Sequence, residues 1–259
     1  MKKNIIHPTA LVSKKAKIDS DVEIGPYAII GDEVKIGPGV KIGSFCVIDN
    51  DTTIGAGCKI FPGAVIGTIP QDLKYDGAAS SVVLGENNII REYVTINLST
   101  TQGRSTVVGH DNLIMAYSHV AHECVIGNHC IIANSGTLAG HVTLEDRVVI
   151  GGLTAIHQFV RLGTMSIVGG CSKVVTDIPP YSTCDGHPAK FYGLNLIGLK
   201  RAGVSAESIH NLKAAYKIFF QSGFNKKHAL DEIKKTITPS REIDHVIEFI
   251  LSSQRGLCH

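Results

Sequence analysis

The stretch Val22-Glu23-Ile24-Gly25-Pro26-Tyr27-Ala28-Ile29-Ile30-Gly31-Asp32-Glu33-Val34-Lys35-Ile36-Gly37 sets an aliphatic residue at every sixth position, each followed by glycine. Followed outward, the same register runs from Ile6 to Val174. Of the 29 multiples of six in that span, 26 are Ile, Val or Leu. The exceptions, Asp72, Ala78 and Gln102, fall in two segments without the pattern, 67–83 and 97–107. Glycine follows the aliphatic residue in 12 of the 26 hexads. That preference fits a corner needing positive φ or close backbone approach. The fourth residue after the aliphatic is small: Ala28, Cys46, Thr52, Ala64, Cys124, Cys130.

A hexad gives one short strand and a turn, the signature of a β-helix repeat. Three hexads close one triangular coil, so residues i and i+18 stack. Strand spacing puts neighbouring coils ~4.8 Å apart, and roughly nine or ten coils make a prism on the order of 45 Å long. One large and one small inward residue per side imply a narrow core. Cys46, Cys58, Cys124 and Cys130 are then small core fillers. The two unpatterned segments predict loops leaving the prism, a usual place for binding residues.

Composition agrees. Among 259 residues there is no Trp, aromatics are 6%, and Gly reaches 27, a turn-rich profile. Net charge is +2, so no global nucleic-acid or membrane field is implied. The basic start, Met1-Lys2-Lys3-Asn4, lacks a following apolar region, and no stretch approaches 18 uninterrupted apolar residues. A cytoplasmic chain without a membrane span is expected. Seven cysteines without paired spacing read as reduced thiols.

Asp177-Ile178-Pro179-Pro180-Tyr181 is expected to stop the repeat, because proline cannot donate to a ladder. From about Phe191 the period becomes helical. Ser205, Asn225 and Ser240 can each cap a helix, and Gly193–Gly203 can form a further one. The expected organisation is thus mainly β: a parallel β-helix of hexapeptide repeats over 1–190, with excursion loops 67–83 and 97–107, then a small α-helical domain over 191–259. Residues 192–259 carry ten Lys/Arg and six Asp/Glu, so this part is +4 and the rest −2. A basic helical lid suits an acidic partner or a phosphorylated ligand, and equally a solvated surface that closes the prism end.

Chemistry concentrates at His119-Val120-Ala121-His122-Glu123-Cys124. His122 stands two places after inward Val120 and should point outward. Eighteen residues on is Gly140, with His141 beside it; thirty-six on is Gln158, beside His157. His119, His122, His141, His157 and Gln158 therefore align along one edge. The remaining histidines, His7, His110, His129, His187, His210, His228, His245 and His259, read as lone surface residues. The cluster could bind a metal, activate a hydroxyl by general base catalysis, or be an inert polar edge. Glu123 favours the second, since a carboxylate can orient an imidazole. Adjacent strand residues point opposite ways, so only a turn can bring Glu123 round to His122. A flat prism face offers no deep pocket, which implies a site between subunits of a cyclic oligomer.

With these residues in hand, the chain resembles the UDP-N-acetylglucosamine O-acyltransferases that open lipid A synthesis in Gram-negative bacteria. The resemblance runs end to end. It rests on Gln71-Asp72-Leu73-Lys74-Tyr75, His119 to Cys124, Leu138-Ala139-Gly140-His141-Val142 and Ile150-Gly151-Gly152. It continues through Ala155-Ile156-His157-Gln158-Phe159, Val168-Gly169-Gly170-Cys171-Ser172, Asp177 to Tyr181, and Gly198-Leu199-Lys200-Arg201. It implies a left-handed helix, a homotrimer, and transfer of an (R)-3-hydroxyacyl group from acyl carrier protein to the 3-hydroxyl of the UDP-sugar. It implies no cofactor and no metal. By position His122 is the general base, Glu123 its carboxylate partner, and the Gly140 amide an oxyanion donor. Asp72, Lys74, His119 and His141 would contact the sugar and hydroxyacyl portions; His157, Gln158, Asn195 and Arg201 would hold the nucleotide. Gly170 marks the end of the acyl tail. The family often has Asp at Glu123, a second Arg at Ala202, and an acidic residue at Ile197. A γ-type carbonic anhydrase and an acetyl-CoA transferase share such a prism. The related N-acyltransferase of the same pathway carries an N-terminal uridine-binding domain, which is not expected ahead of Ile6.

Overall fold

The computed structural model describes residues 3–259; Met1 and Lys2 of the basic start lie outside the described residues. Strands of mostly two residues stack in parallel into three sheets that form the sides of a left-handed β-helix. The first sheet begins at Ile5–Ile6, the second at Leu11–Val12, the third at Lys17–Ile18. Register follows the repeat: Ile6 pairs with Ile24 and Ile24 with Ile42. Thirty residues separate Ile60 from its partner Ile90, and twenty-four separate Ile90 from Ile114. The excess over eighteen is the two excursion loops. Both excesses are multiples of six, so the aliphatic numbering survives each loop.

The core is the stacked aliphatics, with Cys46, Cys58, Cys124 and Cys130 filling the space between them at no more than 1% exposure. All seven cysteines are free thiols. Each buried Ile contributes ~1.5–3 kcal/mol.

The corners refine the glycine reading. At Gly25 a Cβ would lie 2.9 Å from the backbone of Gly43 and Ser44 in the next coil. Close approach between coils, not positive φ, excludes a side chain at such glycines; Gly67, at φ 81°, is the exception. The left-handed conformation falls two residues later, where non-glycine residues occupy it: Tyr27, Phe45, Tyr117, Glu123, His141 and Phe159. Apart from that of Glu123, their N–H groups bond to the coil beneath, as His141 N does to His122 O at 2.9 Å. That bond helps a side-chain residue hold an αL conformation.

The two prolines do not end the ladder. Ser182–Gly186 still pairs in parallel with Ile167–Val168, and only then does the chain turn back antiparallel as Ala189–Leu194. The helical period begins after that strand. Helix α1 (Leu196–Arg201) is capped by Asn195, α2 (Ala206–Gln221) by Ser205, α3 (Lys226–Thr236) by Asn225 and α4 (Arg241–Ser252) by Ser240. A second apolar core, including Leu199, Leu212, Ile233 and Ile250, lies among them, and Tyr216 Oη donates to Pro180 O at 2.6 Å. The C-terminal tail returns to the prism, where Cys258 joins the first core.

One surface histidine is misassigned by sequence. His245 of α4 lies 2.7 Å from Glu145 of the prism, in a carboxylate site that also takes Thr164 N and Oγ1. It anchors the helices to the prism. Nothing in its local sequence shows this, because its partner is 100 residues away.

Candidate active site

Both excursions and the histidine edge occupy one corner of the prism, between the second and third sheets. The first loop joins Val65–Thr68 to Ser81–Leu84, and the second joins Thr95–Asn97 to Ser105–Val108. In the following coil the same corner is Ala121-His122-Glu123-Cys124, between strands His119–Val120 and Val125–Ile126. Gly140-His141 and then Gln158-Phe159 stack above it, joined by Phe159 N to Gly140 O at 3.1 Å.

Glu123 takes the left-handed corner position, φ 53°, and that turn brings its carboxylate round to its neighbour. His122 Nδ1 donates to Glu123 Oε2. The other oxygen, Oε1, accepts from Ser99 Oγ at 2.6 Å, Thr100 N at 2.7 Å, Thr100 Oγ1 at 2.8 Å and Thr101 N at 3.0 Å. The Glu123 side chain is only 7% exposed. Burial alone would raise its pKa, but the hydrogen bonds from Ser99, His122 and Thr100 outweigh it and hold the carboxyl at about 2. An ionised carboxylate only accepts, so His122 carries a proton on Nδ1, and in the neutral ring the lone pair falls on Nε2.

Gly140 is where His122 rests. A Cβ at Gly140 would fall 2.3 Å from His122 Cε1 and 2.5 Å from Nε2. The Gly140 N–H makes no hydrogen bond among the described residues. His141 stands edge-on to His122, ring centroids 5.3 Å apart, and stacks on Phe159 at 4.5 Å. Burial lowers the His141 pKa, against the opposing Glu123 charge. Burial, with His122 nearby, lowers that of His119, whose Nδ1 lies 2.6 Å from Thr95 Oγ1. Asp72 reaches in from the first loop, its Oδ2 4.0 Å from His122 Nε2, and Lys74 N donates to Asp72 Oδ1. His122, Glu123 and His141 could offer ligand atoms to a metal, these lying within 4.8 Å of one another among the described residues. Both Glu123 oxygens, however, already accept hydrogen bonds.

One chain therefore gathers His119, His122, Glu123, Gly140, His141, Asp72 and Lys74 around one corner, with His157 and Gln158 a coil above. It does not bring in the other three. Gly170 follows Ile167–Val168 at the corner between the first and second sheets, where a Cβ would meet Gly152 O at 3.3 Å. Asn195 and Arg201 line a groove between α1 and the first sheet, along with Ile197 and Ala202. Asn195 Oδ1 accepts from Gly198 N, and Nδ2 donates to Met165 O. The sequence reading missed Ser99, Thr100 and Thr101. Their signal was the break at 97–107, directly beneath Glu123.

The bacterial transferase hexapeptide model matches residues 15–50, 33–68 and 105–140, which puts this three-sided prism of parallel hexads, with an imidazole on its corner, among the hexapeptide-repeat transferases. The second-domain model of UDP N-acetylglucosamine O-acyltransferase matches residues 177–258. The acyl-[acyl-carrier-protein]–UDP-N-acetylglucosamine O-acyltransferase of Thermodesulfovibrio yellowstonii is 52% identical over 98% of this chain and 99% of its own, and that of Anaeromyxobacter sp. strain K 47% identical over 97% and 98%. The crystal structure of a UDP-N-acetylglucosamine acyltransferase from Bacteroides fragilis is 41% identical with TM-score 0.95, covering 98% of this chain and 100% of that one. The chain belongs to the UDP-N-acetylglucosamine O-acyltransferase family.

Proposed function

We propose that this enzyme transfers an (R)-3-hydroxyacyl group from acyl carrier protein to the 3-hydroxyl of UDP-N-acetylglucosamine, the first step of lipid A synthesis, with His122 as general base. Nε2 takes the proton from the 3-hydroxyl as its oxygen attacks the thioester carbonyl. The new C–O bond leaves a tetrahedral oxyanion, which the free Gly140 N–H accommodates. Collapse breaks the C–S bond, and the imidazolium returns its proton to the departing thiolate. Glu123 keeps the tautomer and steadies the imidazolium. General base help is worth ~10²–10⁴-fold, and one oxyanion donor ~10²–10³-fold. The reaction calls on no cofactor or metal.

The observation that carries this reading is His122 lying on Gly140, Nδ1 held by Glu123 and Nε2 open. The separation of Gly170, Asn195 and Arg201 from that corner supports a site shared between subunits of a homotrimer. Leu73, fully exposed on the loop beside His122, suits a neighbouring subunit's cover. Lys200, Arg201, Lys213 and Lys217, all exposed, are a docking surface for the acidic carrier protein. Such binding weakens with added salt. No helix among the described residues is long and apolar enough to cross a membrane. A cytoplasmic place suits both substrates. The test is His122→Ala: a folded protein with turnover reduced by ~10² or more. Near-normal turnover would sink the assignment, and stoichiometric metal in the purified protein would favour a γ-carbonic-anhydrase type of site instead.

A further inference from the structure

Among the described residues, some cations of the prism surface meet carboxylates: Lys15 with Asp32, Lys35 with Asp51, Lys41 with Glu23, Arg91 with Glu92. Arg147 and Arg201, like Lys17, Lys59 and Lys173, do not, and of these the two arginines alone share a groove. Neither guanidinium has an ion pair or hydrogen bond among the described residues. Yet both line the same open groove of about 780 Å³, between α1 and the outer face of the first sheet. His129 also lines it. No Asp or Glu lines this groove. The nearby carboxylates are turned to other tasks. Asp146 Oδ1 accepts from Asn128 N and Nδ2, and Asp111 Oδ2 stands 4.0 Å from His129 Nδ1. The groove wall between these cations is apolar, supplied by outward residues of stacked strands, Ile131, Val149 and Ile167.

Two unpaired guanidinia at an apolar wall suit a ligand with a multiply charged anionic centre and a less polar body. A guanidinium fork matches two oxygens of a phosphate at once. The backbone of Arg147 is already fixed. It sits at a left-handed corner, φ 59°, with its N–H on Asn128 O at 2.8 Å, so the side chain alone must be ordered on binding. We propose that Arg147 is a substrate-binding residue that grips the diphosphate of the nucleotide sugar together with Arg201. The proposal rests on the reading that Asn195 and Arg201 hold the nucleotide.

The test uses the full chain and UDP alone, titrated calorimetrically, alongside steady-state kinetics with both substrates. Arg147→Asn keeps a residue that tolerates the left-handed corner. It should weaken UDP about tenfold and raise KM for UDP-N-acetylglucosamine similarly, leaving KM for the acyl carrier protein and the binding of uridine unchanged. Arg147→Lys should recover part of the loss. Unchanged UDP affinity in Arg147→Asn overturns the proposal. So does a raised KM for the acyl carrier protein alone, which would assign the groove to the phosphate of the carrier's arm. A wild-type protein that binds no UDP would overturn the nucleotide reading itself and this proposal with it; normal UDP binding by wild type and Arg147→Asn alike overturns this one only.

Discussion

At the scale of single residues, the site depends on one carboxylate and one missing side chain. Glu123 is held at about pH 2 against an ordinary value of 4.5. A lowered carboxyl pKa adds stability that is complete above the ordinary value and is lost as pH falls through the lowered one. The difference in unfolding free energy between wild type and Glu123→Gln should therefore shrink between about pH 4.5 and about pH 2. Chemical denaturation across that range measures it; a constant difference would contradict the pairing. At neutral pH Glu123→Gln should lower kcat far more than it changes KM, because the tautomer and the imidazolium lose their partner. Gly140→Ala tests the missing side chain. Its methyl would enter the space of the imidazole, at 2.3–3.0 Å from three ring atoms. Turnover should fall ~10²-fold as His122 loses alignment, with the melting temperature little changed. Retained turnover would mean that His122 does not rest where the chemistry occurs.

At the scale of elements, a loop and a corner act as one unit. The 97–107 segment breaks the repeat, and its Ser99, Thr100 and Thr101 close over the Glu123 carboxylate one coil above. Ser99→Ala removes a 2.6 Å donor from a nearly buried charge. It should cost ~1.5–3 kcal/mol of stability and lower kcat less than Glu123→Gln does; melting and kinetics of both variants decide this. The same scale explains where sequence reading fell short. The caps Ser205, Asn225 and Ser240 were legible because a cap bonds only three residues ahead. The partnership of His245 with Glu145, and the parallel strand after Pro180, were not, because each depends on a neighbour distant in sequence or on a sheet already built.

At the scale of the molecule, the prism is a stack of near-identical layers, each resting on its neighbours. Ile132 is fully buried mid-stack. Ile132→Ala should cost ~2–5 kcal/mol, and a nick in this stack should be felt cooperatively along it, since each coil contacts only the adjacent ones. Equilibrium unfolding followed by two probes checks both; a loss below ~1 kcal/mol would argue against a dry, rigid core there. A single chain leaves Gly170, Asn195 and Arg201 away from the His122 corner. The expected homotrimer should appear by mass in solution, and a monomer with full activity would refute a shared site.

The hexad by itself determined the coil, the stacking of i on i+18 and hence the column of His122, Gly140 and Gln158, because a rigid period converts numbering into position. It also placed Cys46, Cys58, Cys124 and Cys130 in the core. Tertiary structure alone decided three things. It decided that Glu123 turns back to His122, since that needs a left-handed corner which side-chain identity does not announce. It decided that glycine after the aliphatic residue, Gly67 excepted, answers to the coil above and not to its own φ. And it decided that the 97–107 loop folds onto Glu123, since a loop's path is set by the donors and acceptors it finds, not by any period of its own.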